Sequence, residues 1–187
     1  MTGNVTIETE RLLLREFNPE DWSAVHEYAV DPQVYRHMPW GPNSEDETRA
    51  FVERAMARQL EEPRLHFELA VTLRGSGQLI GGCGIRAADE RFRSADMGYC
   101  LRQDCWGKGL GTEAASALIA FGFEHLGVHR IWATCDTGNT RSAHVLEKSG
   151  MALEGTMRDD TWLRGQWRSS RLYSVLETQW DQKERRA

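Results

Sequence analysis

The sequence predicts an α/β (α+β) protein, with a mixed, mostly antiparallel sheet of seven strands flanked by helices. Three observations carry this reading. The predicted elements run strand, two helices, three strands, helix, strand, helix, two strands, so helices and strands do not alternate as they do in parallel βα units. The three central strands follow one another with only short turns between them, which is an antiparallel meander. A long helix then opens behind a glycine-rich turn, "WGKGLG". A chain of 187 residues fits one domain spanning 1–187, its core about residues 6–180, with no internal repeat and no linker.

The elements follow from local pattern. "TIETERLLLREF" mixes apolar and charged residues as a strand does, with Ile7, Leu12, Leu14 and Phe17 as its apolar side. In "NPEDWSAVHEYAV", Asn18 before Pro19 with acids in the first turn marks a helix start. "DPQVYRHMPWGPN" is a proline-rich connection. Ser44 and Glu47 have the spacing of a capping box for a second helix, which Glu62-Pro63 closes. "LHFELAVTL", "QLIGGCGIRA" and "ADMGYCLRQ" are the meander strands, the first two joined by "GSG" and the last two by the charged turn "ADERFRS". The next helix is expected over 107–126, stopped by Gly127. "HRIWATCD" has the composition of a short buried strand, and "NTRSAHVLEKSG" is a helix capped by Asn139 and closed by Gly150. "MALEGTMRDDTWL" and "QWRSSRLYSVLETQW" form a terminal hairpin around "RGQ", and the tail "DQKERRA" is too charged to be buried.

Composition excludes several classes. A net charge of -5 and a pI near 5.7 give no basic field to gather nucleic acid. No apolar run is long enough to span a bilayer, and the start lacks a signal-peptide pattern, so a cytoplasmic protein is expected. Cys83, Cys100, Cys105 and Cys135 lack metal-ligand spacing and read as reduced thiols, so no metal is expected.

The glycines need a reason. In a helix each costs about 1 kcal/mol against alanine, yet Gly107, Gly109 and Gly111 stand at alternate positions. The spacing matches neither a dinucleotide fingerprint nor a Walker loop, since Lys108 is not followed by serine or threonine. Unpaired N–H groups at a helix start, uncovered by side chains, suit a phosphate or pyrophosphate, with Lys108 adding charge from the rim. The alternative is a connector that closes tightly on its neighbours.

"TERLLLRE", "WGKGLGTEA" and "NTRSAHVLEKSGM" together resemble the Gcn5-related N-acetyltransferases, within them the bacterial branch that contains the ribosomal-protein N-terminal acetyltransferases. The resemblance covers nearly the whole chain. It implies acetyl-coenzyme A as cosubstrate, its pyrophosphate wrapped by Trp106, Gly107, Lys108, Gly109, Leu110, Gly111 and Thr112. Trp106 stands where a glutamine or arginine is usual in the superfamily. The pantetheine arm is expected between the strands "DMGYCLRQ" and "RIWATCD", against Tyr99, Cys100 and Leu101. Asn139 is implied on the coenzyme or acceptor side and Ser142 on the coenzyme side facing the sulfur, with Arg141 and Lys148 toward the adenosine 3'-phosphate. Asp96 is implied as proton acceptor, directly or through water, in a place where this branch commonly has glutamate, and Tyr99 is a further polar contributor. His37, Met38 and Trp40 are implied on one wall of the acceptor cleft. The terminal hairpin forms the other wall, with Ser169 where relatives frequently carry aspartate.

Direct acyl transfer needs a neutral amine, a donor for the developing oxyanion, a route for the proton and a stabilised thiolate. An α-amine loses its proton more readily than lysine, so a peptide or protein N-terminus is the preferred acceptor. A polyamine, amino acid or aminoglycoside is the alternative, and a non-catalytic coenzyme-A-binding protein a further one. The resemblance also allows a homodimer.

Overall fold

The computed structural model describes residues 4–88 and 93–184, with side chains as far as Trp180. Strands β1 (Thr6–Glu8), β2 (Leu12–Glu16), β3 (His66–Leu73), β4 (Leu79–Ala87), β5 (Ser94–Leu101), β6 (Arg130–Asp136), β7 (Ala152–Leu163) and β8 (Gln166–Leu176) form one sheet. Its order is β1-β2-β3-β4-β5-β6-β8-β7, and every neighbouring pair is antiparallel except β5 and β6. The mixed architecture agrees with the sequence reading, but the strands number eight, not seven.

The eighth arises where "TIETERLLLREF" folds back on itself, with Thr6 opposite Arg15. The turn is closed by Thr9, whose N–H donates to the Leu12 carbonyl at 3.0 Å and whose hydroxyl accepts from the Leu12 N–H at 3.0 Å. "TER" contains none of the usual turn residues, so the reversal carries no sequence signal.

The helices are α1 (Trp22–Ala29), α2 (Pro32–Tyr35), α3 (Glu45–Arg58), α4 (Leu110–Leu126), α5 (Thr140–Lys148) and α6 (Glu177–Glu184). Asn18 caps a single 3-10 turn that leads into α1, and Ser44 and Glu47 form the expected capping box of α3. The one-turn α2 sits in the proline-rich connection, where the Asp31 carboxylate accepts from Gln33 N–H at 2.8 Å. Two further expectations are corrected. The long helix starts at Leu110, not at residue 107, and "ETQW" is helical, so the last strand ends at Leu176. Of the charged turn before β5, residues 89–92 lie outside the described residues, as do the side chains of the tail.

Each face of the sheet carries its own core. On one, Leu118 and Ile119 of α4 are fully buried against Ile85 and Ile131, and α5 adds Leu146. On the other, Val25 and Tyr28 of α1 and Val52 and Ala55 of α3 pack over Phe17 and Ala70. Burying each large aliphatic of this kind contributes about 1.5–3 kcal/mol.

The sheet is not continuous through its middle. Strands β5 and β6 pair only at Ser94↔Arg130, Ala95↔Ile131 and Asp96↔Trp132. Beyond Asp96, β5 stays paired with β4 as far as Leu101 while β6 stays paired with β8 as far as Asp136. The two halves therefore diverge, and a wedge opens between them.

Candidate active site

Cross-strand partners share a face of the sheet, so register alone sets out the ground beside the wedge. His66, Arg86 and Asp96 lie in one row, Glu68, Gly84 and Gly98 in the next, and Ala70, Gly82 and Cys100 in the third. The glycines leave a trough. A Cβ on Gly84 would stand 2.7 Å from Glu68 Oε2, so the Glu68 carboxylate lies over that glycine. A Cβ on Gly98 would meet nothing within 4 Å. A cavity of about 980 Å³ occupies this space. Its lining includes Tyr28, Trp40 and Phe51 on the α1–α3 side and Tyr99, Ser142 and Leu146 on the α5 side, so it crosses the sheet through the wedge.

On the α5 side two hydroxyls meet. Ser142 is fixed by its backbone, whose N–H donates to Asn139 Oδ1 at 3.1 Å. Its Oγ is 3.0 Å from the Tyr99 hydroxyl, which also reaches the Ser142 carbonyl at 3.2 Å. Burial pushes the Tyr99 phenol well above its ordinary value, so it remains a proton donor at any working pH. Burial likewise raises the three thiols that line the cavity, Cys83, Cys135 and, to about 11, Cys100. None of the three is a thiolate at neutral pH, and an acyl-cysteine intermediate has no activated nucleophile here.

On the opposite side two carboxylates lie close together. Asp96 accepts from Arg86 Nε at 2.8 Å, and Glu68 accepts from an Arg58 Nη at 3.0 Å. Burial raises the Glu68 carboxyl above its usual value, with Arg58 opposing and the Asp96 charge adding to the rise. A carboxyl raised in this way is better suited than an ordinary one to take a proton.

The loop with His37, Met38 and Trp40 lines the cavity. Trp40 lies beside Tyr28, ring centroids 6.4 Å apart. His37 Nδ1 is 3.2 Å from Asp136 Oδ1 but makes no aligned hydrogen bond with it, and burial lowers its pKa against the pull of that acid. The loop is clasped by the β7–β8 hairpin tip. Arg164 donates to the carbonyls of Met38 at 3.1 Å, Trp40 at 2.6 Å and Gly41 at 2.7 Å. Ser169 is not part of this wall contact, since its hydroxyl accepts from Asp159 N–H at 3.0 Å.

The glycine turn divides the work among its residues. Gly107 and Gly109 take φ of 74° and 80°, in the left-handed region that favours glycine. Gly111 is inside α4, where a Cβ would stand 3.4 Å from Val145 Cγ2, so it serves close packing against α5. The N–H groups of Gly107, Lys108, Gly109, Leu110, Gly111 and Thr112 have no acceptor among the described residues. They converge at the N-terminus of a 17-residue helix, a concentration of donors and positive dipole suited to a phosphate. The turn is braced from behind: Arg11 donates to the Lys108 carbonyl at 2.9 Å and pairs with Glu113 at 2.7 Å. The Trp106 indole donates to the Leu101 carbonyl at 2.8 Å, and the Arg141 guanidinium lies 5.1 Å from the Trp106 ring centroid. Lys148 is exposed two turns along α5 from Arg141. Leu101 is buried beneath the turn rather than open to it.

Asp96, Tyr99, Cys100, Asn139, Ser142, His37, Met38 and Trp40 thus share one cavity, while the pyrophosphate and 3'-phosphate candidates lie outside its lining. Sequence reasoning missed Glu68, Arg54, Arg58 and Arg164. Glu68 had a signal: it is the one acid in the apolar strand "HFELAVTL", and a lone charge in such a strand needs a partner or a function. The arginines had none, because only the fold brings α3 and the hairpin tip over the trough.

Comparison with known proteins agrees with this geometry. Residues 11–152 match the family described as an acetyltransferase (GNAT) domain. The chain is 33% identical over 175 residues to "Uncharacterized N-acetyltransferase YnaD" of Bacillus subtilis, covering 94% of this chain and 99% of that one. At 27% and 25% identity it is similar to the [Ribosomal protein uS5]-alanine N-acetyltransferase and the spermidine N(1)-acetyltransferase of Escherichia coli K12. These alignments cover 94% and 89% of this chain and 93% and 87% of those relatives. The crystal structure of a GNAT-family acetyltransferase from Bacillus anthracis superposes with a TM-score of 0.82 at 33% identity, over 93% of this chain and 99% of that one. A family match across most of the chain, a relative covered over nearly its full length and the same fold lead to one conclusion: this chain belongs to the GNAT acetyltransferase family.

Proposed function

We propose that the protein transfers the acetyl group of acetyl-coenzyme A directly to a primary amine, with a peptide or protein α-amine as the preferred acceptor. The observation that carries this is the cavity crossing the sheet, with a hydroxyl pair at one mouth and a carboxylate pair at the other. In this reading the pyrophosphate is held by the free N–H groups of 107–112, with Lys108 and Arg141 supplying charge. The pantetheine arm occupies the wedge along β5, where residues 97–101 have no strand partner on the β6 side.

The amine enters from the α1–α3 side, over Gly84 and Gly98. Its nitrogen bonds to the acetyl carbon as the carbon–sulfur bond breaks, and its proton goes to the Glu68–Asp96 pair, where burial raises the proton affinity of Glu68. Backbone N–H groups near 97–99 face the carbonyl oxygen. The departing thiolate takes a hydrogen bond from Ser142, whose Oγ accepts in turn from Tyr99. No cysteine is acylated. The relatives divide between a protein α-amine and a polyamine by name, so a small amine is the second reading.

Mass spectrometry of peptides with free N-termini, polyamines, amino acids and antibiotics incubated with the protein and acetyl-coenzyme A tests this. Acetylation of at least one amine class, with equal release of free thiol, is expected. Coenzyme binding with no transfer to any amine would leave a coenzyme-binding protein instead.

A further inference from the structure

The charges around the acceptor side of the cavity point to the chemistry of the amine's other groups. Four carboxylates line the cavity: Glu47, Glu68, Asp96 and Asp136. Each is already engaged. Glu68 holds Arg58 at 3.0 Å and Asp96 holds Arg86 at 2.8 Å. Asp136, its side chain 8% exposed, accepts from the Gly138 N–H at 2.7 Å, and has His37 at 3.2 Å and Arg168 at 3.6 Å. Glu47 closes the capping box of α3, accepting from Ser44 N–H at 2.7 Å at the positive end of the helix. A polyamine needs carboxylates free to meet its distal ammonium groups, and among the described residues the lining offers none that is not already engaged.

Cations remain instead. Glu47, Phe51, Arg54 and Arg58 stand at helical spacing on one face of α3, and all four line the cavity. Arg58 is paired, but Arg54, one turn before it, has no carboxylate partner among the described residues. Arg164, at the opposite wall, donates to three backbone carbonyls and has no carboxylate partner among the described residues. An amine lying over Gly84 and Gly98 has Arg54 within the same cavity and no unengaged acid beside it.

We infer that the acceptor carries a carboxylate a few atoms from its reactive nitrogen and that Arg54 on α3 recognises it. This rests on the amine-acetylation reading above. The carboxylate could belong to a free amino acid or to an acidic side chain near a peptide N-terminus; the chemistry at Arg54 is the same.

The test uses acceptors matched in length: Ser-Glu-, Ser-Gln- and Ser-Lys-initiated peptides, glutamate, 4-aminobutyrate and spermidine. Each is scored by acetyl transfer and, separately, by calorimetric binding to the coenzyme-A-loaded protein. Carboxylate-bearing amines are expected to bind and react best, the peptide and free-acid arms telling the two sources apart. Arg54→Gln should weaken acidic acceptors about 10-fold, the size of one charge-assisted hydrogen bond, with neutral amines and coenzyme affinity unchanged. Arg54→Glu should turn the preference toward Ser-Lys- peptides. Spermidine matching or exceeding the acidic acceptors in the wild type would overturn the inference, as would an equal loss for all acceptors in Arg54→Gln. If no amine is acetylated yet the acidic ones bind through Arg54, the recognition stands and the acetylation reading fails.

Discussion

Ser142 and Glu68 illustrate two ways in which a residue is prepared by its surroundings. Asn139 fixes the first turn of α5 and Tyr99 fixes the serine hydroxyl, so Ser142 can donate to a charge that exists only as the thiolate forms. Such a bond strengthens in the transition state and lowers the barrier rather than tightening ground-state binding. Ser142→Ala is expected to reduce kcat about 10- to 100-fold, the worth of one hydrogen bond to a charged group, with coenzyme affinity little changed. Stopped-flow thiol release beside a coenzyme titration separates the two, and a loss confined to affinity would remove the serine from the chemistry. Glu68 is prepared by burial, and this has a cost. Its folded carboxyl is raised above the ordinary value, so its contribution to stability is fully present below the unfolded value and is lost as pH rises through the folded one. At neutral pH the ionised side chain therefore works against folding. Glu68→Gln should melt higher than the wild type at neutral pH, with the difference shrinking as pH falls toward the ordinary glutamate value near 4.5, while transfer at neutral pH is depressed. A variant that is both slower and less stable at neutral pH would mean that Glu68 is held for its pairing with Arg58 instead.

At the scale of the element, turns and caps explain both what the sequence disclosed and what it concealed. The capping box of α3, the Asn139 cap and the Gly127 stop (φ 61°) were all legible because they are written in adjacent residues. The glycine turn was legible as uncovered N–H groups at a helix start but not in its parts. Alternate spacing does not reveal that Gly107 and Gly109 precede the helix in left-handed conformation while Gly111 packs on Val145. The β1–β2 reversal was concealed because threonine closes it, and α6 because its segment continues the apolar pattern of β8 as far as Trp180. The trough was hidden for another reason: Gly82, Gly84 and Gly98 align only through strand register. Gly98 offers the cleanest probe of it. Its backbone is in an ordinary strand conformation and its Cβ direction is empty, so neither strain nor packing requires glycine there. Valine favours strands and would put its methyl groups into the cavity. Gly98→Val should keep or raise the melting temperature, retain coenzyme binding and lose acceptor turnover. A fully active Gly98→Val enzyme would place the amine elsewhere.

At the scale of the whole molecule, the sheet is two sub-sheets hinged at a three-residue parallel contact. The half from β1 to β5 carries the carboxylates and, through α1–α3, the Trp40 loop. The half with β6, β8 and β7 carries the Arg164 clasp, so the proposed acceptor cleft is walled by both. Local pattern does not reveal the wedge, because "ADMGYCLRQ" and "HRIWATCD" read as ordinary strands whether or not they pair along their full length; only the family resemblance implied an opening between them. An open sheet edge in the middle of a domain leaves backbone groups of 97–101 dependent on water or on a ligand. A pantetheine arm in the wedge would bridge the halves, and by mass action a ligand bound only by the folded state raises its stability. Hydrogen exchange followed by mass spectrometry should therefore show coenzyme A slowing exchange in two separate peptides, one covering 97–101 and one covering 107–112. The melting temperature should rise with coenzyme concentration. Gly109→Val supplies the control: a branched side chain at φ of 80° strains the turn and screens its N–H groups, so protection should be lost at both peptides together. Protection at the turn alone would mean that the pyrophosphate docks without the arm entering the wedge, and the route through the sheet would have to be abandoned.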